Sequence, residues 1–127
     1  MEAKFTYAGI RVKNMPKSLD FYTKLLGMKS LGTSTIEATK GEVVTLQSGD
    51  GSLLLELNYY PRNSPFYTKY TLGEGLDHLA FGVSDLDAAL AEARRAGHPV
   101  VKDIRGKTSR WAYIKDPNGI WIELFKV

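Results

Sequence analysis

The chain of 127 residues has a formal net charge of +3 and contains no cysteine, which excludes disulfides, thiolate nucleophiles and zinc–thiolate sites. Its basic residues are scattered among acidic ones without a basic stripe, so we expect no nucleic-acid partner. No run approaches the roughly 18 apolar residues of a membrane span, and the N-terminus lacks the pattern of a charged-then-apolar leader. We therefore expect no membrane partner and a soluble, cytoplasmic protein with one domain.

The first half of the chain predicts the order β-α-β-β, with a further strand near residues 30–36. A strand over 6–12 leads to Asn14-Met15-Pro16, where a capping side chain precedes a proline that the first helical turn tolerates. Apolar residues at helical spacing continue to Gly27, which ends this helix. Strands over 42–47 and 52–60 flank a glycine-rich turn, which is typical of a hairpin.

The second half repeats this order. A strand over 78–83 is followed by Ser84, which we predict caps a helix that ends at Gly97. Strands over 99–104, 110–115 and 120–125 follow, and the last two are joined by a turn at Asp116-Pro117-Asn118-Gly119. The chain is therefore predicted to have an α+β fold of two tandem β-α-β-β-β modules, over about 1–60 and 77–127, with a connector over 61–76.

Each half ends with a carboxylate inside an apolar strand. Glu56 lies among leucines after an Asp-Gly turn, and Glu123 lies among isoleucine and leucine after an Asn-Gly turn. A carboxylate in a low-dielectric environment must be paired, protonated or bound to a cation. Two carboxylates at matched positions predict one shared cation.

Strand alternation predicts which side chains share a face with these carboxylates. The polar and aromatic residues that this places together are Tyr7 and Arg11, Glu56, Asn58 and Tyr60, His78, and Trp121 and Glu123. If the faces curl together into a cupped mixed sheet, these groups converge, and the small residues Gly9 and Ala80 leave space inside it.

This pattern resembles the vicinal oxygen chelate superfamily, which includes glyoxalase I, extradiol dioxygenases and bleomycin-resistance proteins, and it is most similar to glyoxalase I-like proteins. The resemblance covers nearly the whole chain. It rests on Ile10-Arg11-Val12-Lys13-Asn14, Ser18-Leu19-Asp20-Phe21-Tyr22, Leu25-Leu26-Gly27-Met28, Asp77-His78-Leu79-Ala80-Phe81, Asp116-Pro117-Asn118-Gly119 and Ile122-Glu123-Leu124.

The resemblance implies that the paired modules form a metal cleft. Carried over to this sequence, the ligand positions are Tyr7, Glu56, His78 and Glu123. Tyr7 stands where the family usually has His or Gln, so it is either a ligand or a hydrogen-bond partner of a metal-bound water. One nitrogen and two carboxylates suit one divalent ion of the group Zn, Ni, Co, Mn or Fe.

The resemblance also implies a metal-dependent lyase or isomerase of glyoxalase I type, acting on a 2-oxoaldehyde–thiol adduct or a related α-hydroxy-carbonyl substrate. The metal would stabilise an enediolate, with Glu123 as ligand and base and Glu56 as the second catalytic carboxylate. Arg11 matches the position that holds a glutathione carboxylate, whereas Tyr60 stands where glyoxalase I usually has Asn. Asn58, Tyr60 and Trp121 complete the predicted substrate-binding set, and the thiol is glutathione or another one.

Two alternatives stay open. A metal-free binding protein of bleomycin-resistance type would hold a small molecule between aromatic walls. An extradiol dioxygenase with non-haem Fe(II) is less favoured, because that chemistry uses two His and one carboxylate and Tyr7 occupies the place of one His. In either case we expect a small-molecule ligand and a homodimer.

Overall fold

The computed structural model describes residues 2, 7–74, 76, 78–106 and 108–127, and for His78 it describes the backbone alone. The chain divides into two compact units, residues 1–70 and 71–127, and each of them carries a mixed four-stranded sheet and a helix. The predicted α+β class with tandem β-α-β-β-β modules is thus confirmed. The module and connector bounds stay a prediction, and the predicted start of the first strand at Thr6 lies outside the described residues.

The sheet of the first unit has the order β1-β4-β3-β2, in which β1 runs parallel to β4 and the other pairs are antiparallel. Its elements are β1 (Ala8–Arg11), α1 (Met15–Asp20), β2 (Lys29–Ile36), β3 (Gly41–Gln47) and β4 (Leu54–Tyr59). The strand predicted near 30–36 is β2. Strand β4 begins two residues later than predicted, because Ser52 belongs to the turn, where its backbone N–H donates to Asp50 at 3.0 Å.

The first helix changes its geometry after Asp20, although the sequence predicts one continuous helix. Asn14 caps it as predicted and accepts a hydrogen bond from the backbone N–H of Lys17 at 3.0 Å. Residues Phe21–Leu25 form a π-helix, in which the hydroxyl of Thr23 donates to the carbonyl of Leu19 at 2.7 Å. A side chain that bonds a backbone carbonyl in this way competes with regular α-helical pairing, which the apolar spacing does not reveal.

The sheet of the second unit repeats the topology, with the order β5-β8-β7-β6 and β5 parallel to β8. Its elements are β5 (His78–Val83), α2 (Leu86–Arg95), β6 (Lys102–Arg105), β7 (Arg110–Lys115) and β8 (Trp121–Lys126). The prediction that Ser84 caps α2 is wrong. Asp85 is the cap, because its extended backbone lets the carboxylate accept a hydrogen bond from the N–H of Ala88 at 3.0 Å.

Helix and sheet form a separate apolar layer in each unit. Helix α1 contacts β4, and helix α2 contacts β8. The buried side chains of these strands alternate along the chain, with Leu55 and Leu57 in β4 and Ile122 and Leu124 in β8. Burial of one such side chain contributes about 1.5–3 kcal/mol, so these alternate positions fix which face of each sheet turns to its helix. None of the described helices is long and apolar enough to cross a bilayer.

Arg110 connects three elements of the second unit. Its guanidinium donates two hydrogen bonds to the carboxylate of Asp103 in β6, both at 2.9 Å, and one to Asp87 in α2 at 2.7 Å. Hydrogen bonds from Arg110 lower the pKa of Asp103 to about 2. In turn, the two carboxylates raise the pKa of Arg110 above its usual value.

The Asp103–Arg110 pair makes the stability of this unit depend on pH in the acid range. A carboxylate whose folded pKa is depressed stabilises the fold above its unfolded pKa, and that contribution is lost as pH falls through the folded value. For Asp103 the window runs from its ordinary 3.8 down to about 2. We predict that Asp103→Asn lowers the free energy of unfolding at pH 7, and that its difference from wild type shrinks between pH 4 and pH 2, measured by urea denaturation.

Asp20→Asn is the control, because it breaks only the exposed i,i+4 pair between Asp20 and Lys24. This variant should stay close to wild type at every pH. A difference between Asp103→Asn and wild type that is constant with pH would contradict the role given to the pair.

Candidate active site

The pairing of β1 with β4 determines which side chains surround Glu56. Gly9 lies opposite Glu56 and Arg11 lies opposite Asn58. A Cβ atom at Gly9 would lie 3.2 Å from the side-chain nitrogen of Asn58 and 3.9 Å from Oε2 of Glu56. The absence of a side chain at Gly9 thus leaves room for the Asn58 amide and for groups that approach the carboxylate.

The pairing of β5 with β8 repeats this arrangement in the second unit. Ala80 lies opposite Glu123, and the backbone of His78 pairs with Trp121. On the other side of β8, Tyr113 lies opposite Glu123 and its hydroxyl donates to Oε2 at 2.6 Å. The matching position in the first unit is Thr45, which lies opposite Glu56. The two glutamates therefore occupy equivalent positions in their sheets but differ in the side chains beside them.

Both glutamates are half-buried rather than fully buried. Their sequence neighbours Leu55, Leu57 and Ile122 are buried in the layer between sheet and helix, and the alternation of a strand turns each carboxylate to the opposite face. The interpretation of these groups as carboxylates in an apolar interior is therefore wrong. They lie on the faces of their sheets that the helices do not cover.

The predicted substrate-binding residues Arg11 and Tyr60 come together in the first unit. The guanidinium carbon of Arg11 lies 5.2 Å from the centre of the Tyr60 ring, and its Nη1 donates to the hydroxyl of Thr68. Asn58 lies between Glu56 and Tyr60 along β4, and its amide donates to the carbonyl of Glu56 at 3.4 Å. One face of β4 thus carries the carboxylate and the amide, and the aromatic ring follows directly after the strand ends at Tyr59.

The remaining predicted residues are Trp121, Tyr7 and His78. Trp121 lies beside Tyr113, with ring centres 5.2 Å apart, and the amine of Lys115 lies 5.7 Å from its ring. Tyr7 precedes β1 and is 47% exposed. The side chain of His78 lies outside the described residues. Among those that are described, no three His, Asp or Glu side chains form a group that could hold a metal ion.

Two residues that bond the candidate side chains escaped the sequence analysis. The hydroxyl of Tyr113 donates to Glu123, and the hydroxyl of Thr68 accepts from Arg11. For Tyr113 a signal was available, because it alternates with the apolar residues of β7 and so shares the face of Glu123. Thr68 lies in a segment without regular secondary structure, where no periodicity predicts the direction of a side chain.

Each unit has a cavity on the side of its candidate residues. In the second unit a cavity of about 860 Å³ is lined by Glu123, Arg110, Trp111 and Phe125, among others. In the first unit a cavity of about 250 Å³ is lined by Arg11 and Tyr60 together with residues of the segment 61–70. Each cavity is large enough to admit part of a small molecule.

Comparison with known proteins gives consistent similarities over nearly the whole chain. A family model described as the Glyoxalase/Bleomycin resistance protein/Dioxygenase superfamily matches residues 4–124. A probable lactoylglutathione lyase of Vibrio parahaemolyticus is 33% identical over 122 residues, which are 92% of this chain and 86% of the relative. The lactoylglutathione lyase of Escherichia coli O157:H7 is also 33% identical over 122 residues, with 92% and 87% covered.

The solved structures point in the same direction. The trypanothione-dependent glyoxalase I of Leishmania major superposes with a TM-score of 0.79 and 31% identity, over 98% of this chain and 87% of that one. These relatives confirm the resemblance on which the fold was predicted. Because the curated relatives are named as lyases, they also bear out the prediction of a glyoxalase I-like enzyme.

The hydrogen bond between Tyr113 and Glu123 can be tested by deletion of the phenol hydroxyl. We predict that Tyr113→Phe lowers the free energy of unfolding by about 1 kcal/mol, because the carboxylate loses a donor while the ring keeps its contact with Trp121. Urea denaturation of Tyr113→Phe, Glu123→Gln and the double variant gives the coupling between the two side chains. Additive effects of the two substitutions would contradict this contact.

Proposed function

The chain belongs to the glyoxalase/bleomycin resistance protein/dioxygenase superfamily, and from that membership we propose a metal-dependent lyase of glyoxalase I type. It isomerises the adduct of a 2-oxoaldehyde and a thiol by moving a proton between adjacent carbons. The observation that carries the proposal is the repeated register, in which Glu56 and Glu123 lie opposite the small residues Gly9 and Ala80 on uncovered sheet faces.

The donor chemistry of these residues fits a divalent first-row cation. Glu56 and Glu123 supply carboxylate oxygens, His78 would supply an imidazole nitrogen, and Tyr7 would serve as a further ligand or bond a bound water. Half-buried carboxylates beside a glycine or an alanine can receive a cation without displacement of a larger neighbour. When bound, such an ion lowers the energy of the negative charge that develops on two vicinal substrate oxygens.

Glu123 is proposed as the group that moves the proton. Its Oε2 accepts a hydrogen bond from Tyr113 at 2.6 Å, which holds the carboxylate in one orientation against its strand. A base must keep such an orientation, because proton transfer requires a donor–acceptor distance of about 2.6–3.2 Å. Glu56 has Thr45 opposite it in place of a tyrosine. We therefore assign Glu56 to binding the cation and to acting as the second catalytic carboxylate.

Arg11 is proposed to bind the thiol end of the substrate. Along β1 it lies two residues beyond Gly9, so about 7 Å of strand separates it from the level of Glu56. A substrate that reaches the carboxylate with its reacting carbons would extend toward Arg11 with its distal part, past Asn58 and Tyr60. Trp121 is assigned to the same substrate from the second unit. The thiol is glutathione or a related one, and the active protein is proposed to be a homodimer.

The proposed role of Glu123 predicts a large kinetic effect. Glu123→Gln should lower kcat for the methylglyoxal–glutathione adduct by about 10²- to 10⁴-fold, the range for loss of a general base. His78→Ala and Glu56→Gln should reduce the metal content of protein purified without chelator. Thioester formation followed by absorbance and elemental analysis of the same preparations give both quantities.

Glu92→Gln is the matched control, because Glu92 is an exposed residue of α2 outside the candidate residues. It should keep wild-type rate and metal content. Wild-type protein that contains no metal and does not turn over the adduct would reject the proposal. Retention of a bound small molecule by Glu56→Ala and Glu123→Ala would then favour the metal-free binding protein.

A further inference from the structure

Tyr113 lies at an anchored point of strand β7. Its neighbours Ala112 and Ile114 are fully buried, so the alternation of the strand turns Tyr113 to the opposite face. Its backbone carbonyl accepts a hydrogen bond from the N–H of Val101 at 2.8 Å. On its other side β7 pairs with β8, where Glu123 lies opposite Tyr113. The backbone therefore fixes the point from which the Tyr113 side chain starts.

The ring and the hydroxyl of Tyr113 are held as well. The ring contacts that of Trp121, with centres 5.2 Å apart and planes at 57°, and the amine of Lys115 lies 5.7 Å from the centre of the Trp121 ring. The hydroxyl donates to Oε2 of Glu123 at 2.6 Å, a length typical of a strong hydrogen bond between a hydroxyl and a carboxylate. A carboxylate held in this way loses less conformational entropy when a ligand binds to it.

The matching position in the first unit carries a different side chain. Thr45 lies opposite Glu56 in the same register in which Tyr113 lies opposite Glu123. A threonine hydroxyl lies close to its own strand, whereas a phenol hydroxyl reaches to the end of a glutamate on the next one. The two carboxylates therefore differ in the group across the strand pair, although their backbone positions match.

We propose that Tyr113 is the positioning residue that presents Glu123 to the divalent cation and favours its coordination through one carboxylate oxygen. The inference rests on the proposed function, in which Glu123 is a ligand. Coordination at Oε2 would require displacement of the phenol, so this hydrogen bond favours coordination through the other oxygen. Partners that hydrogen-bond a metal ligand in this way typically change metal affinity by about 10- to 100-fold.

Binding of Co²⁺ to the metal-free protein tests the proposal without turnover. Competition with a chelator of known affinity gives the dissociation constant, and the visible absorption per bound ion reports the arrangement of ligands around it. Tyr113→Phe should weaken Co²⁺ binding by about 10- to 100-fold, because the carboxylate is then ordered only when the ion binds. It should also change the absorption per bound ion, because Oε2 loses the phenol as donor and can approach the metal.

Thr45→Val is the matched control, because it removes a hydroxyl across the strand pair from the other glutamate. This variant should keep the Co²⁺ affinity and the absorption of the wild type. Glu123→Gln should weaken binding more than Tyr113→Phe does, since it alters the ligand itself. The double variant should bind like Glu123→Gln alone, because Tyr113 acts through Glu123 and the two effects are then not additive.

Urea denaturation of each metal-free variant separates loss of the metal site from loss of the fold. Four results would overturn the inference: wild-type protein that binds no Co²⁺, binding that Glu123→Gln does not weaken, a Tyr113→Phe variant that behaves like Thr45→Val, or additive effects in the double variant.

The same preparations distinguish this inference from the proposed function. Wild-type turnover of the methylglyoxal–glutathione adduct with unchanged Co²⁺ binding in Tyr113→Phe rejects the inference and leaves the proposed function intact. Weakened Co²⁺ binding and an altered absorption in Tyr113→Phe, without turnover by the wild type, support the inference and reject the proposed lyase.

Discussion

The parallel pairing between the first and last strand of each unit is the constraint on which the candidate site depends. It places Gly9 beside Glu56 and Ala80 beside Glu123, so that each carboxylate has a small neighbour in the adjacent strand. A shift of the register by one residue would turn the glutamates into the layer between sheet and helix. The buried residues that alternate with them oppose this shift, because it would expose their apolar surface.

The two units share this strand register but place different side chains around it. Across the antiparallel neighbour strand, Glu123 meets Tyr113, which donates to it, while Glu56 meets Thr45. After the end of β4 in the first unit, Tyr60 meets Arg11 at a cavity that residues of the segment 61–70 also line. A repeated fold thus provides equivalent backbone positions, and side chains at a few of them divide the proposed work between proton transfer and recognition.

The sequence predicts the elements well where the pattern is periodic or the turn chemistry is specific. The turn at Asp116 is an example, because its buried carboxylate accepts hydrogen bonds from the backbone of Asn118 and Ile120, both at 2.8 Å. The burial of the glutamates was predicted wrongly, since apolar neighbours in sequence lie on the opposite face of a strand. The π-helix at Phe21–Leu25 and the cap at Asp85 depend on individual side-chain hydrogen bonds, which hydrophobic spacing does not encode.

Tyr60 shows why one departure from a family pattern is informative only in three dimensions. In sequence it is a tyrosine where the resemblance suggests an asparagine, and that change alone suggests a lost contact with the thiol. In the structure the ring is accommodated at Gly41, stacked on Phe66 and placed against Arg11. The ring thus has an apolar and a cationic neighbour, which the sequence position alone does not reveal. The departure at Tyr60 therefore lies in the aromatic wall beside Arg11, and the register that positions the two glutamates does not depend on it.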